Sequence, residues 1–476
     1  MKAAKGLCTL MLCGALAALT QTAGCTLGPD YRRPVLELPA PPELTPEGAN
    51  GVVNPRWWEG FGDKQLVELV ETALRENRDL RTAAASVEEY LALYGVARAD
   101  FYPQLSASAS ASRGKAAQSG SPLYPANPWG SQYQVSLNLS YELDLWGRVR
   151  RGTEAARADL LAREENRRGV ALTLASQVAT SYLQLLDLDR RLRIAKDTLD
   201  SRREARRLAE IRFKGGLTSD LDVLQSEVEL TAAEALIPQL EQQVQLTEHR
   251  VSALTGHNPG RVTRGAGFDE LKEPPLPAVL PSELLRRRPD VLQAEQALVA
   301  ANARIGQTIA SQFPQFSLTG MLGESTVQFL TFNWPVTVLN AGLSASVPIF
   351  TGFKDSNLVG AARARESQAR LNYEQTAITA FREVYDALVS RRKLAEQVAV
   401  QLRQVAALTK TLKIARLRYL NGYSSYLEVL DAQRNLLNAE LSLVQTRSSG
   451  LQTTVELYRA LGGGWDTAQM AYGAKQ

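Results

Sequence analysis

The chain is short of the residues that most chemistry needs. Of its 476 residues only three are cysteine, Cys8, Cys13 and Cys25, and two are histidine, His249 and His257. Beyond position 25 there is no thiol for a disulfide, a redox pair or a cysteine-ligated metal. The two histidines read as exposed helix-end residues and support neither a metal site nor a catalytic triad. Glycine runs at 215–216 and 462–464 lack the Lys-Ser/Thr element of a phosphate loop. No catalytic constellation and no cofactor fingerprint stands out, so an enzyme reading has no residues behind it. A net charge of +4 is too small to argue for nucleic acid. Past the N-terminus no apolar run reaches about 18 residues, which excludes a membrane-spanning helix. A chain of this kind crosses a bilayer only with strands closed into a barrel. With 22% charged and 45% hydrophobic residues it has the composition of a folded protein.

What is present begins with an export signal over 1–24. Lys2 and Lys5 precede an apolar run over 6–19, long enough for a signal h-region and too short to span a bilayer. Thr22, Ala23 and Gly24 before Cys25 resemble the lipobox of bacterial lipoproteins, in which cleavage leaves the cysteine as the lipidated N-terminus. Leu is usual where Thr22 stands. Thr26 after Cys25, rather than Asp, implies sorting to the outer membrane.

The rest is a duplication. Ala209, Glu210, Ile211, Arg212, Phe213, Lys214, Gly215, Gly216 match Ala415, Arg416, Leu417, Arg418, Tyr419, Leu420, Asn421, Gly422. Phe101, Tyr102, Pro103, Gln104, Leu105 match Gln312, Phe313, Pro314, Gln315, Phe316. The spacing is roughly 200 residues, the size of one unit. The repeats are placed at 63–275 and 276–465, after an extension over 25–62 and before a tail over 466–476. Each half predicts a helix (63–100; 281–312) ended by a proline, then a hairpin of alternating strands (104–111 and 133–145; 315–323 and 339–350). The loop over 113–131 is rich in Gly, Ser and Pro. Strands of about ten residues suit a tilted bilayer crossing. Aromatic residues at the strand ends (Phe101, Tyr102, Trp146, Phe313, Phe350) suit its interface. A long charged helix follows (152–214; 354–420), then a returning one (219–255; 424–461). The proline-free stretch over 152–214 would extend about 95 Å. Such helices imply coiled-coil packing or a helical barrel. Pro238 should kink one return helix. Arg202, Arg203, Arg206 and Arg207 read as a solvated coiled-coil face.

Four strands cannot close a barrel alone, and an open edge in lipid leaves backbone groups without partners. Several copies must share one barrel; strand counting does not choose between eight and twelve strands. Four sequence blocks do. Cys25, Thr26, Leu27, Gly28, Pro29, Asp30, Tyr31, Arg32, Arg33, Pro34 form the first. Trp57, Trp58, Phe61, Asp63, Leu66, Ala73, Leu74, Asn77, Asp79 and Leu80 form the second. Asp144 to Arg148 and Leu430 to Arg434 complete the set. In this order they resemble the outer-membrane efflux protein family, the TolC-like or NodT-like lipoprotein exit ducts. The resemblance implies a mainly α protein with a small β part. It also implies a homotrimer with a long-helix α-barrel and a shared twelve-stranded transmembrane β-barrel. It implies efflux of small molecules such as drugs, with a periplasmic adaptor and an inner-membrane pump as partners. Protein secretion through the same kind of channel, or a poreless periplasmic coiled-coil lipoprotein, are the rival readings.

Candidate site residues cluster at the helix tips. Glu428 and Asp431, at i and i+3, share a helix face, and threefold symmetry would gather six such carboxylates into a ring. Their repulsion needs protons, cations or arginine for relief, and Arg434 and Arg418 are near in sequence. The resemblance matches Leu427 and Asp431 to the constriction of these ducts, and Tyr419 to a tyrosine that takes part in closure. Asp220 and Asp222 are the first-half counterparts. Gly215, Gly216, Asn421 and Gly422 mark the turns where the adaptor would dock.

Overall fold

The computed structural model describes residues 26–36, 55–115, 129–275, 285–329 and 332–463. Cys25, the signal segment and the 466–476 tail lie outside these residues. The chain divides into two compact units that interleave along the sequence, each containing pieces of both repeats.

The first unit holds residues up to Val35, Ser86–Glu164 and Gln293–Tyr373. At its centre is a four-stranded antiparallel sheet, β1 (Gln104–Lys115), β2 (Trp129–Leu143), β3 (Gln315–Phe329) and β4 (Phe332–Ser346), in that spatial order. β1 and β2 run several residues into the segment expected to be loop, and β4 stops at Ser346 rather than 350. Alternation drives the arrangement. Leu139 lies opposite Leu105 and Gly320, and Leu137 opposite Ala107 and Leu322, with Leu339 next across. Directly paired residues share a face, so these apolar side chains form one surface. It stays bare: Val135, Leu137, Leu322, Leu339 and Leu343 are all exposed. The other face is polar, with Ser108 hydrogen-bonded to Ser136 and Asn138, each at 3.0 Å.

Two helices precede strands of the sheet in the chain. The helix α2 (Arg78–Ala99) leads into β1, and α5 (Pro289–Ala310) into β3. The 63–100 segment, expected as one helix, is two: α1 (Lys64–Glu76) and α2, parted at Asn77. Asn77 Oδ1 accepts from the amides of Asp79 and Leu80, and its amide group donates to the Leu254 carbonyl at 2.9 Å. That cap starts a new helix where periodicity alone shows none.

Two long helices of equal length, α3 (Arg148–Lys214) and α6 (Lys354–Leu420), follow the hairpins. Their 67 residues correspond to about 100 Å. Asp144 begins α3 by accepting from the amides of Val149 and Arg150, which explains the Asp in that sequence block. The return helices are α4 (Asp220–Leu254) and α7 (Tyr426–Ala460). α4 runs unbroken through Pro238.

The main core lies in the second unit. Trp57, Trp58, Phe61, Leu66, Val70 and Ala73 pack with Val178, Tyr182, Leu183, Leu185, Leu457 and Tyr458. Trp57 stacks on Tyr458 at 5.4 Å. Asp63 caps α1 through Oδ1 while its Oδ2 accepts from Tyr182 and from the amide of Ala266. Burial of this acid is thus offset by four donors.

Candidate functional site

Each long helix ends in the second unit with a glycine in the left-handed region, Gly216 (φ 70°) and Gly422 (φ 76°). Leu217 N–H donates to the Arg212 carbonyl at 2.9 Å and Tyr423 N–H to that of Arg418 at 2.8 Å. These are Schellman closures, and they need a residue without Cβ strain at that position. Gly215 and Asn421 complete the two turns, Asn421 by donating its side-chain amide to the Leu417 carbonyl at 2.7 Å.

The two tips are tied to each other. Arg212 of the first hairpin donates to the Leu420 carbonyl at 3.3 Å and lies 4.9 Å over the Tyr419 ring. Tyr419 is buried, packs on Tyr426 at 5.1 Å, and donates its hydroxyl to Asp222 Oδ2 at 3.4 Å. Burial, with Asp222 alongside, raises the Tyr419 phenol above its ordinary pKa.

Deeper between the helices, Arg202 is 3% exposed, contrary to the expectation of a solvated face. Arg203, Arg206 and Arg207 do face solvent. Arg202 bonds to Gln433 and reaches Glu229 at 3.3 Å. The other oxygen of Glu229 lies 3.3 Å from Arg434. Burial lowers the Arg202 pKa and Glu229 opposes that shift. Burial also pushes the Tyr426 phenol up to about 12. So Arg434, expected to relieve Asp431, is committed to Glu229 on α4 instead. Among the described residues, Asp431 accepts from the Asn435 amide alone, at 3.2 Å. Arg418 stands 4.0 Å from Glu428, both well exposed, a pair of little energetic weight. Leu427, Glu428, Asp431 and Arg434 all face solvent on one protomer.

Sequence reasoning missed Arg202 with Glu229 as one network and Arg212 with Asp222, around Tyr419, as another. An arginine in a run of arginines carries no mark of burial. The signal for Asp222 was its repeat position alone. Trp146 and Phe313, expected as interface aromatics, pack on each other at 5.2 Å, and Trp146 donates its indole N–H to the Pro314 carbonyl at 2.8 Å. His257 is exposed at a helix end beside Glu76.

A four-stranded sheet with a bare apolar face and two outer edges, joined to helices of about 100 Å, defines a class. It is that of barrel-sharing outer-membrane channel subunits with a helical extension. Comparison with known proteins agrees: the chain belongs to the outer membrane efflux protein family, whose profile matches residues 69–257 and 280–463. It is 35% identical over 462 residues to the cation efflux system protein CusC of Escherichia coli (strain K12), covering 96% of this chain and 99% of the relative. It is also 35% identical over 461 residues to the solvent efflux pump outer membrane protein SrpC of Pseudomonas putida, covering 95% and 98%. The crystal structure of the Campylobacter jejuni CmeC outer membrane channel superposes with a TM-score of 0.87 at 26% identity, over 94% of this chain and 98% of that one. The protein is an outer-membrane efflux channel subunit with a periplasmic extension.

Proposed function

We propose that three copies close one twelve-stranded barrel and form the exit duct of a tripartite pump. The duct receives small molecules such as drugs from a periplasmic adaptor and an inner-membrane pump. The observation that carries this reading is the sheet: one face is apolar and bare, and β1 and β4 each have an outer edge unpaired within the described strands. Both features are costly in a single copy and are resolved by closure with further copies in lipid. The relatives named above carry different cargo in their names, cations and solvents, at equal identity. Cargo choice therefore belongs mainly to the pump. Both names speak of efflux, which favours this over protein secretion.

Cys25 is the proposed lipid anchor. The residue after it, Thr26, packs on Gly147 at the end of the hairpin, which would bring an acyl chain to the membrane rim.

The proposed gate is the solvent-facing set Leu427, Glu428 and Asp431 on α7, with Tyr419, Arg418 and Arg434 setting the position of the tips. On a threefold axis the six carboxylates would face one another, and with Arg434 drawn off to Glu229 the ring keeps most of its repulsion for protons or cations to relieve. The turns at Gly215, Gly216, Asn421 and Gly422 are the proposed adaptor contacts. Single-channel conductance of the purified protein in planar bilayers tests this. Wild type should conduct weakly, and Asp431→Ala and Glu428→Ala should conduct several-fold more. Unchanged conductance in both variants removes the gate and keeps the duct; no conductance from assembled protein removes the duct.

A further inference from the structure

The two repeats place the same junction in different surroundings. After β2, Leu145 and Trp146 are partly covered, and Trp146 packs on Phe313 and bonds to the Pro314 carbonyl just before β3. The chain's own N-terminal segment adds a bond there, Leu27 N–H to the Trp146 carbonyl at 3.1 Å. After β4, the corresponding Ile349 and Phe350 are 95% and 81% exposed. Phe353, 75% exposed, pairs edge-on with Phe350 at 6.3 Å. Phe353 also holds a left-handed backbone (φ 65°), a conformation that an aromatic residue keeps only where packing enforces it. Nothing in the described chain supplies that packing.

The repeat says what does. Phe313 and Pro314 precede β3 as Tyr102 and Pro103 precede β1. Tyr102 is 62% exposed, and Leu105 after it 69%. Thus Trp146 of repeat one meets Phe313 of repeat two, while their equivalents, Phe350 and Tyr102, stand bare at the two outer strands of one sheet. β4 ends at the same end of the sheet where β1 begins, because the order is antiparallel throughout.

We infer that Phe350 of each copy packs on Tyr102 of the partner subunit, reproducing between copies the Trp146–Phe313 contact within one copy. The inference rests on the shared barrel proposed above and adds its seam. It also sets the strand register. Leu143 pairs with Phe316 and Leu139 with Gly320 across β2 and β3. Carried through the repeat, Val347 comes opposite Leu105 of the partner subunit and Leu343 opposite Ala109 of the partner subunit. Both pairs match apolar with apolar, so the bare face continues unbroken across the seam. A slip of one residue would instead turn β1's serines to the lipid side. The Phe350 ring carries no N–H to replace the indole's bond to Pro314, so the contact between copies lacks that bond and is weaker than its counterpart.

The test is cross-linking in full-length protein, where Cys25 is the only other cysteine after the signal. Tyr102→Cys with Phe350→Cys should give covalent dimers and trimers on oxidation, lost on reduction and absent from each single variant. Leu343→Cys with Ala109→Cys should do the same, and more efficiently than Leu343→Cys with Ala111→Cys. This second set stands away from the aromatic residues and serves if the first does not assemble. Trimers by native mass without cross-links in either set overturn the seam and leave the exit duct intact. Wild-type protein that forms no trimer overturns the duct itself.

Discussion

Asp187 shows how much one side chain can weigh. It sits 3% exposed on α3 with Arg191 at 3.8 Å as its ion partner. Its Oδ1 is buried without a hydrogen bond among the described residues. Burial, opposed by Arg191, pushes its carboxyl up to about 6. A folded-state pKa above the unfolded value means that the native protein binds more protons between about pH 4 and 6. Stability therefore falls as pH rises through that window, by about 3 kcal/mol for a shift of this size. Asp187→Asn should be more stable than wild type at pH 7 and should flatten the dependence. Urea midpoints from pH 4 to 8 check this; a variant less stable than wild type at pH 7 would show that the charged form is the favoured one.

At the scale of elements, the N-terminal segment behaves as a strap within the first unit. Asp30 pairs with Arg151 at 2.6 Å, the Pro29 carbonyl accepts from Asn302 at 2.9 Å, and Tyr31 and Arg33 both bond to Glu295. Its sequence block thus has a packing reason besides its proximity to Cys25. Gly28 makes the approach possible: its φ is +96°, and a Cβ there would lie 2.4 Å from Gly306 Cα. Gly28→Ala should lift the strap, at a cost of about 1–3 kcal/mol from strain and overpacking. Limited proteolysis should then cut within 26–36 faster than in wild type, and an unchanged rate would mean that the close contact is not what holds the strap.

At the scale of the whole molecule, the two repeats are also joined at their helix tips, by charged side chains. Glu229 of the first repeat holds Arg202 of its own hairpin and Arg434 of the second. Glu229→Gln leaves Arg202 buried with its charge uncompensated, which costs about 3 kcal/mol. The expected readout is a lower melting temperature, with faster protease cleavage at the turns around Gly216 and Gly422. Equal melting temperatures would place the coupling elsewhere, in the Tyr419 and Arg212 contacts.

The linear order of residues was enough for the duplication, the long helices, the alternating strands and the family. These are local or periodic properties: a proline-free charged stretch, a period of two, a glycine at a helix end. It was also enough to show that one copy could not close a barrel, since four strands always leave two edges. Partnerships over long separations were not legible. Arg434 goes to Glu229 rather than Asp431, Arg202 is buried though its neighbours are not, and Trp146 turns inward to Phe313 while Phe350 stays bare. The break at Asn77 was hidden because apolar periodicity continues past a cap. Charge and aromatic character say what a side chain can bond to; only packing decides which of several equivalent residues finds the partner.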